Sequence, residues 1–212
     1  MPCKAVLVPD ACSLLFSAQV ELKGKTVFER LLEQYIVHVC TTVKYECFEQ
    51  IQKGRVTLDD PSEFKREISR KEYRENGIMP CLDYLDEYCK ENGLPTFSKL
   101  GDGERIALAL SLYLSASLRM PIVFLCDDFG ATGPIERILA EQKFAIQKSV
   151  PDVIMDIFRT DQSVAENQAN GALNTYYNVM TRAAVHSRFK NRMKYNCRNY
   201  WEEKCAVMCS TF

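Results

Sequence analysis

The chain has 212 residues, of which 47% are hydrophobic and 26% are charged, and its formal net charge is -1. This length suits one domain with an elaboration, and the composition is that of a globular protein. The near-zero charge excludes recognition of a polyanion by bulk charge, so a nucleic-acid surface must come from local clustering. No apolar stretch is long enough for a signal-peptide core or a membrane span, so we expect a cytoplasmic protein with no membrane partner.

Ten cysteines are many for this length, but none of them forms a CxxC pair. A structural zinc site usually contains such a pair. Most of these cysteines lie in apolar runs, as Cys126 does after Phe124-Leu125. We therefore predict buried, reduced thiols rather than a disulfide framework.

The first third of the chain alternates between strand and helix patterns. Ala5–Val8 is a short apolar run that predicts a buried strand ending at Asp10, and helical spacing follows from Ala11 to Val20. A helix is predicted over Val27–Tyr35 and a second strand over Ile36–Cys40. The next helix carries Glu46 and Glu49 and ends near Gly54.

The alternation continues after a polar segment. Residues 55–95 predict a helical insertion, and a helix rich in Ala and Leu covers Arg105–Ser117. Ile122–Cys126 predicts a buried strand that ends at Asp127-Asp128, followed by a loop and a helix with Pro134 at its first position. Phe144–Ile146 predicts a further strand, and Pro151 opens a helix that reaches Phe158.

Strands that alternate with helices indicate an α/β fold with a mainly parallel central sheet. From residue 161 onward the pattern is helical only. We therefore predict one domain over residues 1–160, with its insertion at about 55–95, and a C-terminal helical extension over residues 161–212.

The predicted elements bring several acids to one edge of the sheet. Asp10 and the pair Asp127-Asp128 follow buried strands, whereas Glu46 and Glu104 lie in helices beside the sheet. Clustered carboxylates repel one another and lose hydration, so such a cluster persists mainly around a divalent cation. Oxygen ligands without histidine favour Mg²⁺ or Mn²⁺ over zinc. Phosphodiester hydrolysis by an activated water is the chemistry that this arrangement serves.

Four segments, in order, resemble the motifs of PIN domains. Val8–Leu15 resembles the opening motif, Val43–Glu46 the V-x-x-E segment, and Leu100–Ala109 the LGxGE helix of one subgroup. Leu125–Asp128 resembles the strand-end T-D-D motif, with Cys126 in place of Thr. The resemblance covers roughly residues 3–160.

This resemblance implies a three-layer α/β/α PIN-like fold and a Mg²⁺- or Mn²⁺-dependent endoribonuclease similar to VapC-type toxins. It places Asp10, Glu46, Glu104 and Asp128 at the catalytic metal-site positions, with Asp127 adjacent to the metal. It also implies an RNA substrate, with an antitoxin protein and a second copy of the chain as candidate partners. The insertion and the extension are both longer than a compact toxin needs.

Simpler roles compete with metal binding at several of these positions. Asp10 could be a helix cap. Glu49, one helical turn after Glu46, is the alternative acid there. Adjacent residues at a strand end point to opposite sides, so only one acid of the Asp127-Asp128 pair should contact the metal directly, and the family pattern favours Asp128. Asp102 is expected to be a solvated turn residue.

The extension contains a basic segment with interleaved aromatic residues. Its candidate nucleic-acid-binding residues are Arg182, Arg188, Lys190, Arg192 and Lys194. Basic side chains neutralise phosphates, and aromatic rings stack on unpaired bases. The alternative is a solvated helix whose aromatic residues pack on the core.

Two other functions remain open from the sequence. One is a non-catalytic PIN-like interaction or regulatory protein in which the acids merely persist, and the other is a DNA-directed metal nuclease.

Overall fold

The computed structural model describes residues 4–74, 77–94 and 97–185. Its strands, in chain order, are β1 Val6–Pro9, β2 Glu21–Leu22, β3 Lys25–Thr26, β4 Ile36–Val37, β5 Val39–Cys40, β6 Glu72–Tyr73, β7 Ile122–Leu125 and β8 Ala145–Lys148. Its helices are α1 Ala11–Ser17, α2 Val27–Gln34, α3 Thr41–Gln52, α4 Pro61–Arg70, α5 Met79–Glu91, α6 Asp102–Leu118, α7 Phe129–Gln142, α8 Val150–Thr160 and α9 Glu166–Val185. The fold is α/β, as the alternating pattern predicts.

A parallel sheet of four strands, in the order β4-β1-β7-β8, forms the centre of the fold. Every residue of β1 and β7 is buried, which explains why both strands are continuous apolar runs without alternation. The register places Val8 opposite Phe124. Helix α6 packs across β1 and β7. Because these two strands are adjacent and parallel, their carboxyl ends lie at the same edge of the sheet.

The strand predicted over Ile36–Cys40 is divided between two sheets. The main-chain N–H of His38 donates to the carbonyl of Leu7 at 2.9 Å, whereas that of Val39 donates to the carbonyl of Lys71 at 2.9 Å. The segment therefore pairs first with β1 and then with β6, which belongs to the predicted insertion. Periodicity detects the extended backbone but not this change of partner.

The predicted helix start at Pro134 is wrong. Helix α7 begins at Phe129, and Pro134 lies inside it. The two nearby glycines suggested a loop, yet both adopt helical conformation here. The proline removes one main-chain hydrogen bond from α7 without ending the helix.

The described part of the C-terminal extension packs against the rest of the fold. Helix α9 contacts α8, α1 and β2, and its buried side chains recur at helical spacing: Ala169, Ala172, Leu173, Tyr176 and Met180. None of the helices within these described segments combines the length and the apolarity that a bilayer span requires.

The cysteines that the structure describes are reduced, as predicted. Cys40, Cys47, Cys89 and Cys126 are buried, and Cys12 and Cys81 are half-buried. The other four cysteines lie outside the described residues.

Candidate metal centre

Asp10 stands where β1 ends and α1 begins. Its main-chain N–H donates to the carbonyl of Leu125 at 2.9 Å, which ties it to the end of β7. Its Oδ1 accepts a hydrogen bond from the main-chain N–H of Ser13 at 2.6 Å, so the predicted alternative of a helix cap is realised. The residue is only 1% exposed, and capping uses only one of its two oxygens.

The second oxygen of Asp10 is the most unusual atom of the site. Oδ2 is enclosed and makes no hydrogen bond of acceptable geometry to any described residue, and the same holds for the hydroxyl of Ser13. Burial, followed by the charge of Asp127, raises the pKa of Asp10 to about 7, although the nearby Ser13 and Cys126 donors partly oppose the rise. A buried acceptor without a partner costs free energy, so this oxygen is a candidate ligand atom.

Asp127 and Asp128 follow β7 but have different surroundings. The main-chain N–H of Val150 lies 3.1 Å from each carboxylate oxygen of Asp127, and the hydroxyl of Tyr176 donates to Oδ1. Burial raises the pKa of Asp127 to about 6, and these hydrogen bonds oppose the rise. Asp128 is half-buried. Asp127 thus has structural partners on α8 and α9.

Glu46 and Glu104 meet at the N-terminus of α6. Burial, followed by the charge of Glu104, raises the pKa of Glu46, and a hydrogen bond from the Gly103 main chain opposes the rise. Burial raises the pKa of Glu104 as well, whereas main-chain hydrogen bonds from Glu104 itself and Gly101 lower it. The first turn of α6 therefore supplies N–H donors to both carboxylates.

The glycines of the Leu100–Glu104 run make this arrangement possible. A Cβ added at Gly103 would overlap Oε2 of Glu46 and lie 2.8 Å from its Cδ, and a Cβ at Gly101 would overlap Oε2 of Glu104. Neither glycine has a positive φ angle. Close approach of carboxylates to the main chain, rather than backbone strain, is thus the reason for glycine here.

Two buried thiols lie close to several of the carboxylates. The pKa of Cys12 is raised well above its usual value first by burial and then by four carboxylates: Asp10, Asp128, Glu104 and Asp127. Burial and the charges of Asp10 and Glu46 act in the same way on Cys47. Each of the five predicted acids is therefore close enough to one of these two thiols to act on it electrostatically.

The acids are not already arranged around an ion. Within residues 4–74, 77–94 and 97–185, no set of three or more His, Cys, Asp or Glu side chains has an arrangement that could hold a metal. In the same segments, no Lys or Arg ion pair neutralises Asp10, Glu46, Glu104 or Asp127. These four acids therefore have no ion-pair partner among the residues that the structure describes.

No protein-family profile, no curated protein and no solved structure matches the chain. The chemistry of the site therefore carries the functional argument.

The alternative acids Asp102 and Glu49, and Arg182 of the basic segment, are exposed to solvent. The Asp102 side chain is 83% exposed, as predicted, but the residue begins α6 rather than lying in a turn. Glu49 is exposed and paired with Lys53. Arg182 is exposed in the last turn of α9. The remaining candidate nucleic-acid-binding residues, Arg188, Lys190, Arg192 and Lys194, lie outside the described residues.

Sequence reasoning missed Tyr176, which joins the C-terminal extension to the acid cluster. Its ring packs edge-on against Phe16, with centroids 6.0 Å apart, and its hydroxyl donates to Asp127. The helical stripe of α9 contains the signal that could have found it. A buried tyrosine hydroxyl needs a hydrogen-bond partner, and a buried carboxylate is a strong one.

Proposed function

We propose that this chain is a divalent-metal-dependent endoribonuclease with a three-layer PIN-like fold, and that Asp10, Glu46, Glu104 and Asp128 hold its Mg²⁺ or Mn²⁺. The observation that carries the proposal is the convergence of these carboxylates on one edge of the parallel sheet. The motif resemblance extends the proposal to a cytoplasmic toxin of a toxin–antitoxin pair, with an antitoxin partner and a homodimer as associated states.

The side chains present fit a hard divalent cation. Carboxylates supply the charged oxygens that Mg²⁺ and Mn²⁺ prefer. Asp10 Oδ2 lacks a hydrogen-bond partner among the described residues, and a cation would offset the cost of burying it. Roles for Glu46 and Glu104 require side-chain rotation, because both carboxylates now accept hydrogen bonds at the start of α6.

The side chains of the site have different roles in the proposed reaction. A bound divalent cation would supply Lewis acidity and lower the pKa of an attacking water. Asp10 and Asp128 follow adjacent strands of the central sheet, so they would hold such an ion at the edge of the sheet. The buried hydroxyl of Ser13 lies next to Asp10 and is suited to orient that carboxylate.

Asp128 rather than Asp127 is assigned to the metal. Asp127 accepts hydrogen bonds from Val150 and Tyr176, so binding an ion would compete with these partners. The charge of Asp128 acts on both Cys12 and Glu104, which supports its assignment alongside the proposed ligands. Asp127 serves to fix the strand end.

The environment of the thiols argues against a cysteine nucleophile. Burial raises the pKa of Cys12, Cys47 and Cys126 well above its usual value, and neighbouring carboxylates raise it further. The reactive form of cysteine is the thiolate, which these surroundings suppress. Hydrolysis by an activated water remains the chemistry that the site supports.

Cleavage assays with matched acid substitutions test the proposal. We expect the full chain with Mn²⁺ to cleave single-stranded RNA and to lose activity with EDTA. Asp128→Asn and Glu46→Gln should each reduce cleavage at least about 100-fold, because loss of a direct ligand should cost no less than loss of an outer-shell partner. The matched control, Asp102→Asn, should retain activity because this acid is exposed.

The assay also decides between the alternatives. No cleavage by the intact chain in the presence of Mn²⁺ would contradict the proposal and favour a non-catalytic interaction protein, which the lack of a ready-formed metal cluster among the described residues also favours. Preferential cleavage of single-stranded DNA would favour a DNA-directed nuclease.

A further inference from the structure

The solvent-facing side of α3 forms an open depression next to the acid cluster. Its volume is about 560 Å³, and it is lined by Thr42, Tyr45, Glu46, Phe48, Glu49 and Gln52. Glu46 belongs both to this depression and to the acid cluster at the start of α6. A ligand that occupies the depression would therefore reach the proposed metal centre.

An exposed aromatic ring stands at this edge of the cluster. Tyr45 directly precedes Glu46 and is 61% exposed, a high fraction for a large ring on a folded surface. Phe48, one turn further along α3, is half-buried in the same depression. The two rings follow one face of the helix because residues three apart are neighbours on its surface.

Lysine side chains accompany both rings. The Lys44 ammonium lies 4.7 Å from the centroid of Tyr45, and the Lys65 ammonium lies 5.5 Å from that of Phe48. Lys44 is also held by Glu72 at 2.8 Å. Aromatic faces beside ammonium groups offer the two contacts that single-stranded nucleic acids use, namely base stacking and phosphate neutralisation.

We propose that this face of α3 is the substrate platform of the nuclease, on which Tyr45 stacks with an unpaired base next to the scissile phosphate while Lys65 contacts the backbone. The inference rests on the proposed function and names the side chains that would hold its unpaired RNA substrate. A base held within a duplex has no free face to offer, so duplex RNA should be a poor substrate.

Steady-state kinetics on single-stranded RNA with saturating Mn²⁺ provide the test. Tyr45→Ala should raise KM about ten-fold or more, as expected from the loss of one stacked base, and leave kcat nearly unchanged. Tyr45→Trp should keep KM close to that of the wild-type chain because it preserves the aromatic face. The Mn²⁺ affinity of Tyr45→Ala should be unchanged, since Tyr45 binds no ion.

The matched control is Tyr84→Ala. Tyr84 is another exposed tyrosine, at 47%, and it lies on α5 rather than on α3. Its substitution should leave KM unchanged. An equal rise in KM for both variants would overturn the platform and leave the nuclease intact.

The salt dependence of binding separates the roles of ring and lysine. With the cleavage-deficient Asp128→Asn chain and fluorescently labelled single-stranded RNA, adding Lys65→Gln should reduce the slope of log Kd against log salt by about 0.7. Adding Tyr45→Ala should weaken binding without changing this slope, because tyrosine neutralises no phosphate.

Further outcomes would contradict either the role of Tyr45 in RNA binding or the nuclease activity itself. A fall in kcat at constant KM for Tyr45→Ala, or a variant that fails to fold by circular dichroism, would overturn the assignment of Tyr45 to an exposed binding face. Absence of metal-dependent cleavage by the wild-type chain would instead refute the nuclease itself.

Discussion

Gly103 allows the carboxylate of Glu46 to lie against the main chain at the start of α6. A side chain at this position would force that carboxylate away, since its Cβ would overlap Oε2. The displacement would not arise from backbone strain, because the φ angle of Gly103 is not positive. Position 103 therefore offers a way to move one proposed ligand without removing its charge.

We predict that Gly103→Ala lowers RNA cleavage about ten-fold or more, because small misplacements of catalytic groups have large effects on rate. Its free energy of unfolding should stay the same or rise by up to about 1 kcal/mol, since alanine is favoured over glycine in helices. Cleavage rates and urea denaturation measure the two effects separately.

Gly171→Ala is the matched control for this prediction. Gly171 lies in α9, where an added Cβ would meet no atom within 4 Å. The Gly171→Ala chain should gain helix stability without losing activity. Unaltered cleavage by Gly103→Ala would contradict a role for the close approach of Glu46.

At the level of elements, the hydroxyl of Tyr176 connects α9 to the acid cluster. The rest of its buried stripe is apolar or aromatic, and only the Tyr176 hydroxyl reaches a carboxylate in the described structure of this stripe. The contact links the extension to the end of β7. Tyr176 is accordingly a positioning residue for Asp127, not a catalytic one.

We predict that Tyr176→Phe lowers the free energy of unfolding by about 1.5–3 kcal/mol, which is the usual contribution of a hydrogen bond to a charged group. The ring should keep its packing against Phe16, so the loss isolates the hydroxyl. Because the hydroxyl lowers the pKa of Asp127, the loss should be larger at about pH 8, where Asp127 is ionised, than at about pH 5. Urea denaturation at both pH values measures it.

Tyr84→Phe serves as the control, because its hydroxyl donates to Gln142 at 3.1 Å on an exposed surface. It should change stability by only a few tenths of a kcal/mol. Equal losses for the two variants, or a loss that is independent of pH, would contradict the proposed contact with an ionised Asp127.

The sequence predicted the elements that periodicity and burial determine. The runs ending at Asp10 and Asp127 are apolar without alternation, and the structure places both in the buried parallel sheet. The same reasoning placed their acids at one edge, because adjacent parallel strands end together. The grouping of the acids was thus predictable from topology alone.

Contacts between distant elements were not predictable in this way. Periodicity cannot show that the segment around His38 changes strand partner, or that Tyr176 reaches Asp127. The predicted helix start at Pro134 is wrong because local propensity favours a start there, whereas α7 extends further towards its N-terminus, to Phe129. The orientation of each carboxylate towards an N–H donor likewise depends on side-chain packing.

For the whole molecule, the buried acids link folding to protons and to metal. The pKa of Asp10 is raised from 3.8 to about 7, so the native chain keeps this proton at pH values where the unfolded chain has released it. The contribution of Asp10 to stability is therefore complete below about pH 4 and is lost as the pH rises to about 7. Asp127, Glu46 and Glu104 act in the same direction.

We predict that Asp10→Asn stabilises the metal-free chain at about pH 8, by at most roughly 4 kcal/mol, and has little effect at about pH 4. Asparagine keeps the capping oxygen for the Ser13 N–H but carries no charge, so the comparison isolates the buried carboxylate. Denaturation in EDTA across this pH range measures the difference in free energy of unfolding between the wild-type and Asp10→Asn chains. The contributions of the other acids cancel in this difference.

Mn²⁺ should narrow the difference in stability between the two proteins. A ligand that binds only the native state adds about 2.7 kcal/mol at one hundred times its Kd, and this gain requires ionised carboxylates. The wild-type chain should therefore gain stability with Mn²⁺, and more at about pH 8 than at about pH 5, because protons compete for the same oxygens. Asp10→Asn should gain little. An equal gain for both proteins would show that Mn²⁺ binds elsewhere, and no gain for either would remove the metal from the proposed mechanism.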